Sequence, residues 1–282
     1  MSQAQLMDGT GPARRIVEET AKRAADLTER TGVAPCLATV LVGEDPASVT
    51  YVRMKQNRSR KAGIESRHVA LPAGTTTDEL IGTLTELSAD PTVHGILLQH
   101  PMGHHIDERA AFEAIAPEKD IDGVTLASFS AMSFGLPGFA SCTPGGIMRL
   151  LDEYDVDPAG KRAVVVGRSA ILGKPVGMLL LGRDATVTYC HSRTADLSSV
   201  VREADIVVAA VGRPRLIRGE DVKPGAVVVD AGYNPGNIGD VDFDSARERA
   251  SLITPVPGGV GPMTIATLLA QTVEAATRQT GA

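Results

Sequence analysis

Two periodicities alternate along the chain. Residues 13–31 carry apolar positions at helical spacing among many charges, which predicts an amphipathic helix. "CLATVLVG" is a short apolar run closed by Gly43 and predicts a buried strand. Asp45-Pro46 has the form of an N-cap followed by a first-turn proline. The helix it opens runs through "ASVTYVRMKQNRSRKAG" and stops near Gly63. "HGILLQHP" is a further short strand, ended by Pro101. "SFGLPGFASCTPGG" then interrupts both patterns with Gly, Pro and Ser, and is expected to be a hinge between two domains. Beyond it, strands are expected near 163–167, 185–189, 206–211, 226–230 and 251–254, mostly separated by helix-length segments. "GPMTIATLLAQTVEAATRQ" forms a last helix with Pro262 near its start. The alternation predicts an α/β fold, and the second half reads as a doubly wound parallel sheet.

Composition narrows the class. The 282 residues include five Phe, four Tyr and no Trp, so Leu, Val, Ile and Ala must build the core. A net charge of −6 without a basic run argues against nucleic acid as the main partner. No apolar stretch approaches the ~18 residues of a membrane span, and "MSQAQLMDGTG" has no basic-then-apolar signal pattern. Cys36, Cys142 and Cys190 lie far apart, which speaks against a zinc site or a disulfide framework and fits a reducing cytoplasm. His100, His104 and His105 have a spacing that could serve a metal, but no Cys or Glu completes a set, so no metal is expected.

The stretch "AVVVGRSAILGKP" carries the first chemistry. A strand runs into Gly167, where the absence of a Cβ lets backbone approach a ligand. The helix that follows aims free N–H groups at a bound phosphate. The spacing from Gly167 to Gly173 does not fit the G-x-G-x-x-G fingerprint, and a plain strand–helix turn explains the same residues. The next strand, "ATVTYCHSRT", ends in His191, Ser192 and Arg193, without the acid that binds ribose hydroxyls in NAD sites. Arg168, Ser192 and Arg193 suit a 2′-phosphate instead, so the pattern points to NADP.

The first half carries a second candidate set. Tyr51 and Lys55 are four apart and share a helical face. A ring can stack on a flat heterocycle and a desolvated lysine can move protons, although an amphipathic helix with a snorkelling lysine gives the same pair. Gln99 ends the strand "GILLQ", where an amide can fix a substrate or orient a lysine. "EKDIDG" places Asp120 and Asp122 before a glycine, suited to the amino edge of a pterin or purine, or simply to a turn. "TPVPGGVGPMT" packs three prolines and three glycines before the last helix and is expected to hold a restricted or cis turn and to line a cleft between domains.

Taken together, Tyr51-x3-Lys55, "GILLQHP", "PEKDIDG", "CTPGG", "VVVGRSAILGKP", "VTYCHSRT", "KPGAVVVDAGYN" and "TPVPGGVGPMT" resemble the bifunctional methylenetetrahydrofolate dehydrogenase/methenyltetrahydrofolate cyclohydrolases. The resemblance spans nearly the whole chain. It implies a catalytic folate-binding domain over 1–140, completed by the helix 262–282, and a Rossmann-like NADP domain over 141–261. It implies that Lys55 is the acid–base residue and Gln99 its modulator, that Tyr51 stacks on the folate ring and that Asp122 anchors the pterin. Gly259 and Pro262 complete the expected substrate contacts. Gly167, Arg168, Ser169, Ser192, Arg193 and Tyr233 are the expected cofactor contacts. A homodimer is implied as well.

The chain departs from the family pattern at four places. His100 stands where Leu is frequent, Asn57 where a second lysine is common, Ser128 where Asn is usual and Ser141 where Pro is usual. None of these removes a residue assigned to chemistry. Two other classes remain open on the residues alone. Another NADP oxidoreductase would keep the second domain without needing Tyr51, Lys55, Gln99 and Asp122. A non-catalytic nucleotide-binding module would tolerate loss of Lys55.

Overall fold

Seven consecutive small or apolar residues place β2 (Cys36–Val42) entirely out of solvent, and the strand sits at the centre of a three-stranded parallel sheet in the computed structural model, which describes residues 3–43 and 55–282. Its neighbours are β3 (Glu65–Leu71) and β4 (Gly95–Gln99), with Leu41 in register with Gln99. β3 carries no apolar run. It is an edge strand, exposed or half-buried at every residue, and pairing with β2 rather than burial defines it. The helix expected from Asp45-Pro46 is helical over 55–61 and ends at Gly63, whose φ of +69° suits the left-handed stop; its expected start lies outside the described residues.

A six-stranded parallel sheet runs in the order β1–β9–β8–β7–β5–β6, comprising β1 (Gln5–Leu6), β5 (Arg162–Val166), β6 (Thr186–Cys190), β7 (Ile206–Ala209), β8 (Val227–Asp230) and β9 (Leu252–Ile253). The inner strands β7 and β8 are buried at every residue, as expected for a parallel sheet covered on both faces, whereas edge strand β6 is largely exposed. Val164, Val166, Val207, Ala209, Val228 and Ile253 join one apolar cluster. The chain connects β5 to β6 on one side and then returns past β5 to β7, so the strand order reverses at β5. The carboxyl ends beside such a reversal are where open α/β sheets bind ligands.

Among the described residues, the helices besides the stretch 55–61 are α1 (Thr10–Thr31), α2 (Thr77–Ala89), α3 (Glu108–Glu113), α4 (Leu126–Phe134), α5 (Cys142–Glu153), α6 (Gly173–Leu181), α7 (Leu197–Arg202), α8 (Phe243–Arg247) and α9 (Val260–Thr280). The start of α1 lies three residues before the first periodic apolar position, because both Asp8 carboxylate oxygens accept N–H bonds from Thr10 and Gly11. The expected hinge is shorter than its composition suggests. From Cys142 onward its residues are the first turns of α5, with Pro144 early enough to leave the helix intact. Gly146 serves packing there, since a Cβ would stand 3.0 Å from the Met263 backbone.

Contacts divide the chain into two units. One holds the chain up to Arg14, Met132–Leu136 and Ser141–Thr267, and contains the six-stranded sheet. The other holds Arg15–Ala131, Pro137–Ala140 and Leu268–Ala282, and contains the three-stranded sheet. Among the described residues no helix is long and apolar enough to cross a membrane.

Candidate functional site

In the unit with the three-stranded sheet, the Lys55 ammonium donates to Oε1 of Gln99 at 3.1 Å. Lys55 is half-buried on the helical stretch 55–61, and Gln99 is half-buried as the last residue of β4. The Gln99 amide also donates from Nε2 to the His100 carbonyl at 2.8 Å. Strand-end and helix residues 44 positions apart in sequence are thereby joined, the two that the family resemblance places together. Tyr51 lies outside the described residues. The His100 ring packs edge-on against Phe112 of α3, with centroids 6.4 Å apart, and the Arg109 guanidinium lies over the same Phe112 ring. The His100–Pro101 peptide is cis.

Asp122 is half-buried in the turn that follows the 3₁₀ segment Pro117–Lys119. Ile121, its neighbour, packs where Gly95 of β4 leaves room: a Cβ on Gly95 would stand 2.7 Å from the Ile121 side chain. Gly95 and Gln99 are four apart on one strand and so share a sheet face. The turn is held from several directions. Asp120 is fully buried and accepts from the N–H groups of Val124 and Thr125, while Arg109 donates to the Val124 carbonyl at 2.6 Å. The buried Lys119 ammonium donates to the Asp90 carbonyl at 2.6 Å and the Leu87 carbonyl at 3.4 Å. Burial pulls this ammonium below the usual lysine range, against the attraction of Asp90 and Glu118. Gln271 of α9 donates to the Ile121 carbonyl at 2.7 Å and to the Ala140 carbonyl at 3.0 Å. Sequence reasoning paired Asp120 with Asp122 as equal candidates. Burial separates them, with Asp120 spent on the backbone and Asp122 partly open. Nothing in the sequence marked Lys119 or Gln271.

In the unit with the six-stranded sheet, the glycine turn sits at the carboxyl end of β5. Gly167 has φ +141°, and a Cβ there would collide with the carbonyl oxygen of Ala210, just past β7. A Cβ on Gly173 would stand 2.6 Å from the Gly167 carbonyl group and 2.7 Å from the Arg168 nitrogen. The two glycines therefore let strand end, turn and helix close on one another despite their unusual spacing. Ser169 is partly committed to this turn, because its Oγ accepts from the Gly173 N–H at 3.1 Å.

Arg168, Ser192 and Arg193 are exposed at the carboxyl ends of β5 and β6. The turn after β6 is closed by Thr194, whose Oγ1 accepts from the His191 N–H, and by His191 Nδ1, which accepts from the Arg193 N–H at 3.2 Å. Guanidinium and hydroxyl groups of this kind are donors that can pair with a phosphate. Tyr233 follows β8, is 58% exposed, and donates from its hydroxyl to Asn237. Gly259 is buried, and a Cβ on it would stand 2.7 Å from the Pro255 carbonyl oxygen; Pro262 is half-buried in the first turn of α9. The Val256–Pro257 peptide in this loop is cis.

The model described as "Tetrahydrofolate dehydrogenase/cyclohydrolase, catalytic domain" matches residues 7–122, and that described as "Tetrahydrofolate dehydrogenase/cyclohydrolase, NAD(P)-binding domain" matches residues 141–280. "Bifunctional protein FolD 1" of Streptomyces avermitilis is 80% identical over 278 residues, covering 99% of this chain and 97% of that protein. Among solved structures, the "Bifunctional Enzyme FolD-Methylenetetrahydrofolate Dehydrogenase/Cyclohydrolase" of Campylobacter jejuni is 43% identical with a TM-score of 0.95, covering 98% of this chain and 99% of its own. The N5,N10-methylenetetrahydrofolate dehydrogenase-cyclohydrolase of Trypanosoma brucei, solved with NADP cofactor and inhibitor, is 39% identical with a TM-score of 0.96 over the whole of both chains.

Proposed function

This chain belongs to the tetrahydrofolate dehydrogenase/cyclohydrolase family, and from that premise we propose that the Lys55–Gln99 pair performs the proton transfers of its hydrolytic reaction. The enzyme oxidises methylenetetrahydrofolate to methenyltetrahydrofolate with NADP and hydrolyses methenyltetrahydrofolate to 10-formyltetrahydrofolate. The alternatives of an unrelated NADP oxidoreductase or a non-catalytic nucleotide module have no support, since both halves match this one family.

The observation that carries the proposal is the 3.1 Å hydrogen bond from Lys55 to Gln99. Water adds to the methenyl carbon, and a neutral Lys55 amine takes one of its protons. The resulting carbinolamine collapses as the carbon–N5 bond breaks, and the Lys55 ammonium returns a proton to N5. One proton is released overall. The positive charge of the methenyl group favours the neutral amine during attack, whereas the Gln99 oxygen favours the ammonium. Asp122 accepts N–H bonds from the amino and amide edge of the pterin, and Tyr51 stacks on the ring.

Bound NADP supplies the hydride acceptor for the oxidation. No protein base is needed in that step, because the folate nitrogens stabilise the cation that forms, and the protein's task is positioning. Gly167, Arg168, Ser169, Ser192, Arg193 and Tyr233 are the proposed cofactor contacts, with the two arginines and Ser192 on the 2′-phosphate. Gly259 and Pro262 are proposed to touch the folate. The assigned domains are a folate-binding domain over 1–140 completed by 262–282 and an NADP domain over 141–261. A homodimer in the cytoplasm belongs to the same reading. It is supported by the family resemblance, and light scattering on the purified protein tests the dimer.

The decisive experiment compares wild type with Lys55→Met in both reactions. Methenyl hydrolysis, measured without NADP, is expected to fall by about 10²–10⁴-fold. NADP affinity is expected to stay constant. A folded Lys55→Met enzyme that hydrolyses at the wild-type rate would place the proton carrier elsewhere.

A further inference from the structure

Two aspartates that no catalytic role absorbs lie at the carboxyl ends of the six-stranded sheet. Asp230 ends β8 and is 4% exposed; Asp240, in the segment that follows, is fully buried. Both carboxylates bind backbone. Asp230 Oδ1 accepts from the N–H groups of Gly232 at 2.9 Å and Asp240 at 3.0 Å, and Oδ2 accepts from Val241 at 2.9 Å. Asp240 Oδ2 accepts from Val211 at 2.6 Å and Gly212 at 2.9 Å, and Oδ1 accepts the Asn234 side-chain amide at 3.1 Å. Two glycines admit them: a Cβ on Gly232 would collide with the Asp240 carboxylate, and one on Gly239 with the Asp230 carboxylate.

These contacts tie the loop after β8 to the loop after β7. The second of these is the loop whose Ala210 carbonyl lies against Gly167, at the end of β5. A chain of contacts therefore runs from Asp230 through the backbone of Asp240, then through the Asp240 carboxylate to Val211 and Gly212, and so to the glycine turn. The glycine turn and the loop after β7 flank the point where the strand order reverses, and the loop after β8 braces them from one strand further along the sheet. Burying two like-charged groups is costly, and six hydrogen bonds spent on backbone and one amide identify what that cost fixes.

We propose that Asp240, braced by Asp230, is a positioning residue for NADP: it holds the loops after β7 and β8 in the shape that receives the dinucleotide. The inference rests on the reading of this sheet as the NADP site. Hydrolysis of methenyltetrahydrofolate proceeds without NADP and separates positioning from general loss of structure.

The test uses Asp240→Ala, which removes all three acceptor contacts, and Asp240→Asn, whose remaining oxygen can still accept from Val211 and Gly212. NADP dissociation constants and the NADP KM are measured at pH 7.5 beside NADP-free hydrolysis. Asp240→Ala is expected to raise both NADP constants at least tenfold with hydrolysis within twofold of wild type, and Asp240→Asn to recover most of the affinity. If Asp240→Ala does not fold, Asn234→Ala decides instead. It removes the amide donor to Asp240 Oδ1 together with the one to the Ile238 carbonyl, and is expected to raise the NADP constants about threefold with the same split. NADP constants within twofold of wild type in the folded variants overturn the proposal, as does hydrolysis falling in parallel with NADP affinity. A wild type that hydrolyses methenyltetrahydrofolate but fails to bind NADP overturns the cofactor reading itself, and the proposal with it.

Discussion

The carbonyl of His100 sets the orientation of the Gln99 amide. With Nε2 donating to that carbonyl at 2.8 Å, Oε1 is the atom left facing the Lys55 ammonium. Gln99 therefore meets lysine as an acceptor and favours the charged form without adding a charge. Gln99→Glu replaces this dipole with a full negative charge. It also sets a carboxylate oxygen against the His100 carbonyl, where no donor remains. The ammonium form of Lys55 becomes more stable, so the amine needed to deprotonate water appears at higher pH. The alkaline-rising limb of the hydrolysis pH profile is expected to move to higher pH, with reduced rates near neutrality. A profile superimposable on that of wild type would remove Gln99 from proton control.

Cofactor choice offers a second test. Arg168 and Arg193 are exposed, with no carboxylate at the end of β6 to compete for them among the described residues. Each charge-assisted contact to phosphate contributes roughly 1.5–3 kcal/mol. Replacing either arginine by alanine is expected to weaken NADP binding about 10–100-fold while NAD binding changes little. Competitive titrations of the two dinucleotides read this directly, and equal losses for NADP and NAD would rule out a 2′-phosphate contact.

At the glycine turn the expectation concerns stability as well as binding. A side chain on Gly167 must adopt φ +141° and displace the Ala210 carbonyl, which is backbone and cannot swing aside. Gly167→Ala is expected to cost more than about 2 kcal/mol and to abolish NADP binding. Gly182→Ala is the control: φ there is −64° and a Cβ meets its nearest neighbours at 3.5 Å, so the melting temperature should hardly move.

Legibility in the sequence followed burial. The inner strands β7 and β8 were readable because both faces are covered and nearly every residue is apolar. β3 was not, because an edge strand with solvent on one side reads as a polar segment. Composition misplaced the end of the hinge, since Pro144, Gly145 and Gly146 resemble a loop until α5 is seen to need a small residue against Met263. Lys55 and Gln99 could be paired in advance only through the family resemblance, because a lysine on a helix and an amide at a strand end are each ordinary alone. Asp120, Asp230 and Asp240 were opaque for the opposite reason. An acid within a few residues of a glycine is ordinary turn chemistry in sequence, and only three dimensions reveal that its acceptors are spent on buried N–H groups.

Asp230 gives the protein a pH dependence whose sign follows from its surroundings. Desolvation pushes its carboxyl up to about 6, opposed by the N–H bonds from Val241, Asp240 and Gly232, with the Asp240 charge adding to the rise. Arg215, Asp242 and Asp244 line the same small cavity as Asp230. A carboxyl with a higher pKa in the folded than in the unfolded chain holds its proton more tightly when folded. It therefore adds stability that is complete below pH 4 and is lost as pH rises through about 6. The difference from an ordinary aspartate corresponds to on the order of 3 kcal/mol. Asp230→Asn carries no titrating group, so this component disappears. Urea midpoints measured at half-unit steps from pH 4.5 to 7.5 are expected to fall less with rising pH in Asp230→Asn than in wild type. The wild-type midpoint should fall relative to that of Asp230→Asn toward high pH, as the buried charge forms in wild type alone. Parallel curves across that range would mean that Asp230 ionises as readily in the folded protein as in the unfolded chain.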